Sequence, residues 1–212
     1  MNYKSFLINL DRRPDRLAAA SAELDAAGIP FTRFPALEFS DKGNFPSLAA
    51  RGCTESHINV LDENRNGRPL LIMEDDIFFS KNFTSLFPVY LDMIEKLPDW
   101  DLVTFYNSNF PPISDVPYLY NFCSWCCHFY LVNGKSVGVL ADLLWDASTI
   151  IDNEFFVLFR DRKLSFWSTA QQLVFQNYDL HSDIDPSGVK YFKEGHLQGI
   201  YISKTKYRKE TP

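Results

Sequence analysis

The segment Leu70-Leu71-Ile72-Met73-Glu74-Asp75-Asp76 is an apolar run that ends abruptly in three carboxylates. Strand alternation puts Glu74 and Asp76 on one side and Asp75 on the other. Carboxylates held together at a strand end repel each other unless a cation lies between them. Oxygen ligands suit Mg²⁺ or Mn²⁺. Such an ion commonly neutralises phosphates, which points to a phosphorylated substrate. Taken alone, the same residues read equally well as a solvated acidic strand end.

Two polar motifs precede this one. Ile8-Asn9-Leu10-Asp11-Arg12-Arg13-Pro14-Asp15-Arg16 lies where a first strand hands over to a first helix. In open α/β sheets, ligands bind beyond the carboxyl ends of the strands. Asn9 offers hydrogen bonds there, and the arginines offer forked contacts to phosphate or ribose. The alternative is that the arginines cap and solvate the helix face. Gly52-Cys53-Thr54-Glu55-Ser56-His57 opens a second helix, whose start has spare N–H donors and a positive dipole end. Gly52 permits close backbone approach. A lone His on a helix, such as His57, is more often structural than catalytic.

The elements that must position these motifs follow from the hydrophobic pattern. Tyr3 to Leu10 reads as a buried strand, and Pro14 suits the first turn of a helix that Gly28 stops. Phe31 to Phe34 is a second strand, so the chain opens β-α-β, as a parallel sheet with a covering helix does. Leu37 to Ala50 reads as a loop and Cys53 to about Glu63 as a helix. Pro69 to Met73 is a third strand. Phe83 to Leu97 is helical in pattern, with an interruption expected at Pro88. Asp101 to Tyr106 and Cys127 to Val132 are strands, and Lys135 to Trp145 is a helix. Ile150 to Phe159 is mixed, Leu164 to Trp167 is strand-like, and Gln171 to Gly199 looks loop-rich. Phe6, Ile8, Leu71, Ile72, Val103 and Phe105 are the expected buried strand residues.

A chain of 212 residues suits one domain with a sizeable core, and 46% hydrophobic content describes a globular protein. A net charge of −6 argues against nucleic-acid binding as the main activity. No signal-peptide pattern opens the sequence, and no stretch reaches the roughly 18 apolar residues of a membrane span. The expected location is therefore the cytoplasm, including the inner face of the membrane, with at most peripheral membrane contact. Cys53, Cys123, Cys126 and Cys127 include one C-x-x-C, but only His128 is near it. Reduced thiols are expected rather than a zinc site.

The three motifs in this order resemble glycosyltransferase family 25, which includes lipooligosaccharide galactosyltransferases and the galactosyltransferase parts of collagen-modifying enzymes. The resemblance rests on Ile8-Asn9-Leu10, Arg13 and Asp15-Arg16, then Gly52-Cys53 and Ser56-His57, then Glu74-Asp75-Asp76. It is firm from Phe6 to Phe78. It is looser at Phe129 to Leu144, Ile151-Asp152-Asn153, and Gln176 through Ser182-Asp183-Ile184. It implies a GT-A-like single domain, with a mainly parallel central sheet flanked by helices. Residues 1–110 would form the nucleotide-sugar and metal half, and residues 111–212 the acceptor half. It also implies a UDP-sugar donor, often UDP-galactose, a divalent metal, and inversion at the sugar carbon.

Donor contacts are then expected from Asn9, Leu10, Arg13, Arg16, Ser56, His57, Glu74 and Asp75. Asp76 and Glu74 are the expected ligands of Mn²⁺ or Mg²⁺, with His181, ahead of His196, as a further ligand. The base that deprotonates the acceptor hydroxyl must lie across from the diphosphate. Asp152 is the first candidate and Asp183 and Asp185 are rivals, while Asp152 also reads as a helix N-cap. The acceptor would be a glycan or a lipid-linked glycan. Two other readings stay open: a catalytically silent nucleotide-sugar-binding or scaffolding domain, and a metal-dependent phosphoester hydrolase.

Overall fold

The computed structural model describes residues 1–106, 117–125, 127–177 and 180. It opens with β1 (Lys4–Asn9), α1 (Pro14–Ala27) and β2 (Thr32–Pro35). Pro14 occupies the start of α1, where a missing N–H costs nothing. Gly28 ends the helix in the left-handed region, φ 68°, which a side chain would oppose. α2 (Leu48–Asp62) starts five residues earlier than the apolar pattern implies. The reason is Ser47, whose Oγ accepts from the Ala50 N–H at 3.0 Å and caps the helix.

Next come β3 (Leu70–Glu74), β4 (Ile77–Phe79) and α3 (Phe83–Glu95). The interruption expected at Pro88 does not occur, because α3 runs through it. Phe83, Phe87, Tyr90 and Ile94 form a buried stripe that holds the helix despite the lost hydrogen bond. The remaining elements are β5 (Leu102–Thr104), β6 (Leu119–Asn121), β7 (Phe129–Val132), α4 (Val137–Leu143), α5 (Ile151–Arg160), β8 (Phe166–Thr169) and β9 (Val174–Gln176).

The main sheet has the order β2-β1-β3-β7-β5-β8-β6. β1 is parallel to β2 and β3, and β5 is parallel to β8. β7 is antiparallel to β3 and β5, and β6 is antiparallel to β8. Five of the seven strands therefore share one direction, the mainly parallel α/β architecture expected. β4 and β9 form a separate antiparallel pair.

Side chains of β3 alternate between two cores. Leu70 and Ile72 join residues of α2, α4 and α5 on one face, such as Leu61, Leu140 and Phe155. Leu71 and Met73 join Leu24 of α1 and Phe87 of α3 on the other. β3 is thus covered on both faces, which is why it reads as a continuous apolar run. Ile8, Leu71, Ile72 and Val103 are buried strand residues as expected, and Phe105 is buried but lies one residue past the end of β5. Phe6 is only half-buried, at the rim of the first core. Among the described residues, no helix is long and apolar enough to cross a membrane.

Candidate functional site

β1 and β3 run side by side in parallel, with Ile8 opposite Glu74. Their carboxyl ends therefore release Asn9 and Asp75 at the same place. A cavity of about 360 Å³ opens there, and Asn9, Leu10, Arg16, His57, Glu74, Asp75 and Asp76 all line it. That size suits a small ligand.

The carboxylates do not divide as strand alternation requires. β3 ends at Glu74, and the chain turns at Asp75 and Asp76. Both aspartates then face Arg16, which sits 3.0 Å from Asp75 Oδ1 and 2.5 Å from Asp76 Oδ2. Glu74 instead points toward α2. The cation between the two aspartates is thus a guanidinium from the first motif. Burial pushes the Asp75 carboxyl up to about 6, against the pull of Arg16. Burial also raises Asp76, with Arg16 opposing and the Glu74 charge adding. Asp76 Oδ1 is buried and has no hydrogen-bond partner. An orphaned carboxylate oxygen beside further carboxylates is a fitting ligand for a hard divalent ion.

Asn9 is buried and ties the first motif to the third. Its Nδ2 donates to Asp75 Oδ2 at 2.7 Å and to the Arg13 carbonyl at 3.0 Å. Its Oδ1 accepts from Arg33 Nε at 2.9 Å. Asn9 therefore orients the acidic turn. Arg13 pairs with Asp15 at 2.9 Å and does not line the cavity. Arg12 does line it, and is paired with Glu38 at 2.8 Å.

The second motif is not at a helix start, which corrects the dipole reading. Gly52 lies in the second turn of α2. Its smallness serves packing instead: a Cβ there would stand 2.5 Å from the Leu37 carbonyl oxygen. Ser56 is fully buried and outside the cavity lining. Its Oγ donates to the Gly52 carbonyl and accepts from the Leu37 N–H at 2.8 Å. Gly52 and Ser56 together dock the strip Ala36–Phe39, which forms part of the cavity wall. His57 touches the site directly, with Nε2 3.3 Å from Glu74 Oε1 and Nδ1 2.8 Å from the Tyr130 hydroxyl. Burial raises the Glu74 carboxyl, but the His57 hydrogen bond and the charges of His57, His128 and Arg16 outweigh it and hold it low.

Asp152 is outside the cavity lining, and its Oδ1 accepts from the Cys127 N–H at 2.7 Å. It is not the N-cap of α5, which is Ile150. Its carboxyl is raised by burial. His181, Asp183, Asp185 and His196 lie outside the described residues.

Sequence reasoning missed Arg33, Glu38 and Phe39, and placed Gln176 only in the looser part of the resemblance, without a role. Arg33 carried no signal beyond its place in a short edge strand, yet it binds both Asn9 and Asp11. Gln176 reaches the cavity because β9 pairs with β4, which directly follows the acidic turn. His128 was weighed only beside the cysteines. It is buried, its backbone carbonyl accepts from the Glu74 N–H at 2.9 Å, and its Nδ1 has no partner. Burial lowers its imidazole, against the charges of Asp76 and Glu74.

A family model described as glycosyltransferase family 25 (LPS biosynthesis protein) matches residues 2–123, more than half of the chain. No curated protein matches the chain. Among solved structures, a glycosyltransferase involved in glycosylation of the major capsid of PBCV-1 is 10% identical, with a TM-score of 0.43 over 69% of this chain and 68% of that one. A putative glucose-1-phosphate thymidylyltransferase from Bacillus anthracis, in complex with a sucrose, is 11% identical, with a TM-score of 0.44 over 81% and 69%. A point mutant of the Drosophila β-1,4-galactosyltransferase 7, in complex with manganese, UDP-Gal and xylobiose, is 12% identical, with a TM-score of 0.45 over 98% and 80%.

Proposed function

The chain belongs to glycosyltransferase family 25, and we propose that it is an inverting hexosyltransferase that moves galactose from UDP-galactose to a hydroxyl of a glycan or lipooligosaccharide acceptor. The observation that carries this reading is the convergence of the three motifs on one cavity, with Asp76 Oδ1 buried and unpartnered inside it. The same reading puts the enzyme in the cytoplasm, including the inner face of the membrane.

Asp76 and Glu74 are the residues that would hold Mn²⁺ or Mg²⁺. Such an ion supplies positive charge against the diphosphate as it departs. Arg16 keeps Asp75 and Asp76 together before any ion arrives, so the acidic turn needs little rearrangement. Asn9 fixes the same turn from β1. Arg12, on the cavity wall and half exposed, is placed for the nucleotide phosphates or ribose. Gly52 and Ser56 hold the Ala36–Phe39 strip that closes one side.

The acceptor hydroxyl must lose its proton to a carboxylate on the side away from the diphosphate. Asp152 has one oxygen committed to the Cys127 backbone. We therefore assign the base to Asp183, whose neighbours match the family pattern, with Asp185 as its rival.

The test is incubation with Mn²⁺, a panel of nucleotide sugars and a mixture of glycan acceptors, with UDP release as readout. UDP-galactose should give acceptor-dependent release. Tight binding without release would favour the catalytically silent reading. Absence of Mn²⁺-dependent UDP-sugar binding would defeat the proposal.

A further inference from the structure

Glu74 lies between two chemically different sets of donors. On one side are Asp75 and Asp76, which offer only oxygen and are braced by Arg16. On the other are a thiol and an imidazole. Cys53 and His57 stand four residues apart on one face of α2, directly over the end of β3. One ligand atom from each of Cys53, His57 and Glu74 lies within 4.8 Å of the other two.

We propose that Cys53, His57 and Glu74 form a three-ligand site for a thiophilic divalent ion of the Zn²⁺ class, open to the cavity at its fourth position. It goes beyond the transferase reading and does not rest on it.

The spacing is close to what such an ion demands. Tetrahedral Zn²⁺ bonds put N and O ligands about 3.4 Å apart and S and O ligands about 3.6 Å apart. The structure has 3.3 Å between His57 Nε2 and Glu74 Oε1, and 4.0 Å between Cys53 Sγ and the same oxygen. Small rotations of side chains on rigid elements close the difference. All three residues line the cavity, which leaves room for water or a ligand atom.

The outer support is also present. The Tyr130 hydroxyl sits 2.8 Å from His57 Nδ1. A hydroxyl both donates and accepts, so it serves either tautomer. With an ion on Nε2, the ring proton sits on Nδ1 and is donated to the Tyr130 oxygen, which leaves the Nε2 lone pair for the metal. The Cys53 thiol gives up its proton to solvent as the metal–sulfur bond forms.

The test uses the full chain without nucleotide, titrated with Co²⁺ and then with Zn²⁺. A thiolate-to-cobalt absorption band in the near ultraviolet should appear and be displaced by Zn²⁺. Cys53→Ser should abolish it. Cys123→Ser and Asp76→Asn should keep it, which separates this site from the C-x-x-C and from the oxygen ligands. Tyr130→Phe, which removes only the hydroxyl, should weaken Zn²⁺ binding by about tenfold or more. Circular dichroism on each variant checks that the fold is kept. If Cys53→Ser fails to fold, Glu74→Gln must show the weakened Zn²⁺ binding instead. Absence of the band at saturating Co²⁺, its survival in folded Cys53→Ser, or unchanged Zn²⁺ affinity in Glu74→Gln would overturn the proposal. Failure of UDP-sugar binding alone would leave it standing.

Discussion

The side-chain amide of Asn9 donates to Asp75 Oδ2 at 2.7 Å, across the carboxyl ends of two adjacent parallel strands. Asn9 is 1% exposed, and its other amide contacts go to the Arg13 carbonyl and Arg33. Removing it leaves a buried carboxylate oxygen without its donor. Asn9→Ala should cost about 1–3 kcal/mol of stability. Chemical denaturation measures this. An unchanged midpoint would mean that water replaces the amide at no cost.

Asp75 provides a pH test. Its folded carboxyl is raised from 3.8 to about 6, chiefly by burial, so the folded state binds the proton more tightly than the unfolded state. Stability therefore falls as pH rises between those two values, and the penalty is complete above them. Asp75→Asn has no such proton. Stability of the variant minus that of the wild type should increase from pH 3.8 to about 6 and then level off. A flat or falling difference across that window would contradict the burial argument.

Gly52→Ala tests whether the second motif acts through packing. The new Cβ meets a backbone oxygen at 2.5 Å, which no side-chain rotation relieves. Either α2 or the Ala36–Phe39 strip must move, at a cost of about 1–3 kcal/mol. Donor affinity should fall as well, because that strip lines the cavity. Equal stability and equal UDP-sugar affinity in calorimetry would show that the contact is slack.

The order of elements up to β3 was readable from the sequence because local signals there agree with tertiary context. Pro14 starts α1, Gly28 stops it, and β3 is apolar because both its faces are covered. The short strands β4, β6 and β9 were not readable. Each is defined by a distant partner; β5 is equally short but stands in a longer, mostly apolar run, Leu102 to Tyr106, that made it readable. Residue types singled out Asn9, Leu10, Arg16, His57 and the three carboxylates, and all of them line the cavity. Their partners were hidden. That Arg16 bridges Asp75 and Asp76 depends on the chain turning after Glu74, where alternation ends. Ser56 was expected at the donor and Gly52 to permit close backbone approach; both instead hold Leu37, whose position is fixed only by the fold.

Asp76→Asn keeps shape while removing charge and weakening a carboxylate whose buried Oδ1 has no hydrogen-bond partner. Mn²⁺-supported transfer should fall by at least two decades, about 2.7 kcal/mol in the barrier. Because the Asp76 carboxyl is raised by burial, losing its charge also relieves strain, so the fold should survive. Steady-state kinetics over a Mn²⁺ series decides it. Unchanged metal-dependent turnover would remove Asp76 from the ion site.

Asp152 and Asp183 can be tested against each other as the base. Asp152 Oδ1 accepts from the Cys127 N–H at 2.7 Å, and the side chain stays out of the cavity lining. Asparagine keeps that acceptor, so Asp152→Asn should hold transfer within about tenfold of the wild type. Asp152→Ala leaves the Cys127 N–H without it, and should cost about 1–3 kcal/mol of stability while UDP binding persists in the folded protein. Asp183→Asn should instead leave UDP and Mn²⁺ binding intact and lower turnover by at least about two decades, the mark of an interaction made only in the transition state. Calorimetry for binding, single-turnover kinetics for transfer and a denaturation curve for each variant make the comparison complete. If Asp152→Asn abolishes transfer with binding unchanged, the base is Asp152, and its hydrogen bond to Cys127 orients a catalytic carboxylate. If Asp183→Asn leaves turnover unchanged, the base assignment moves to Asp185.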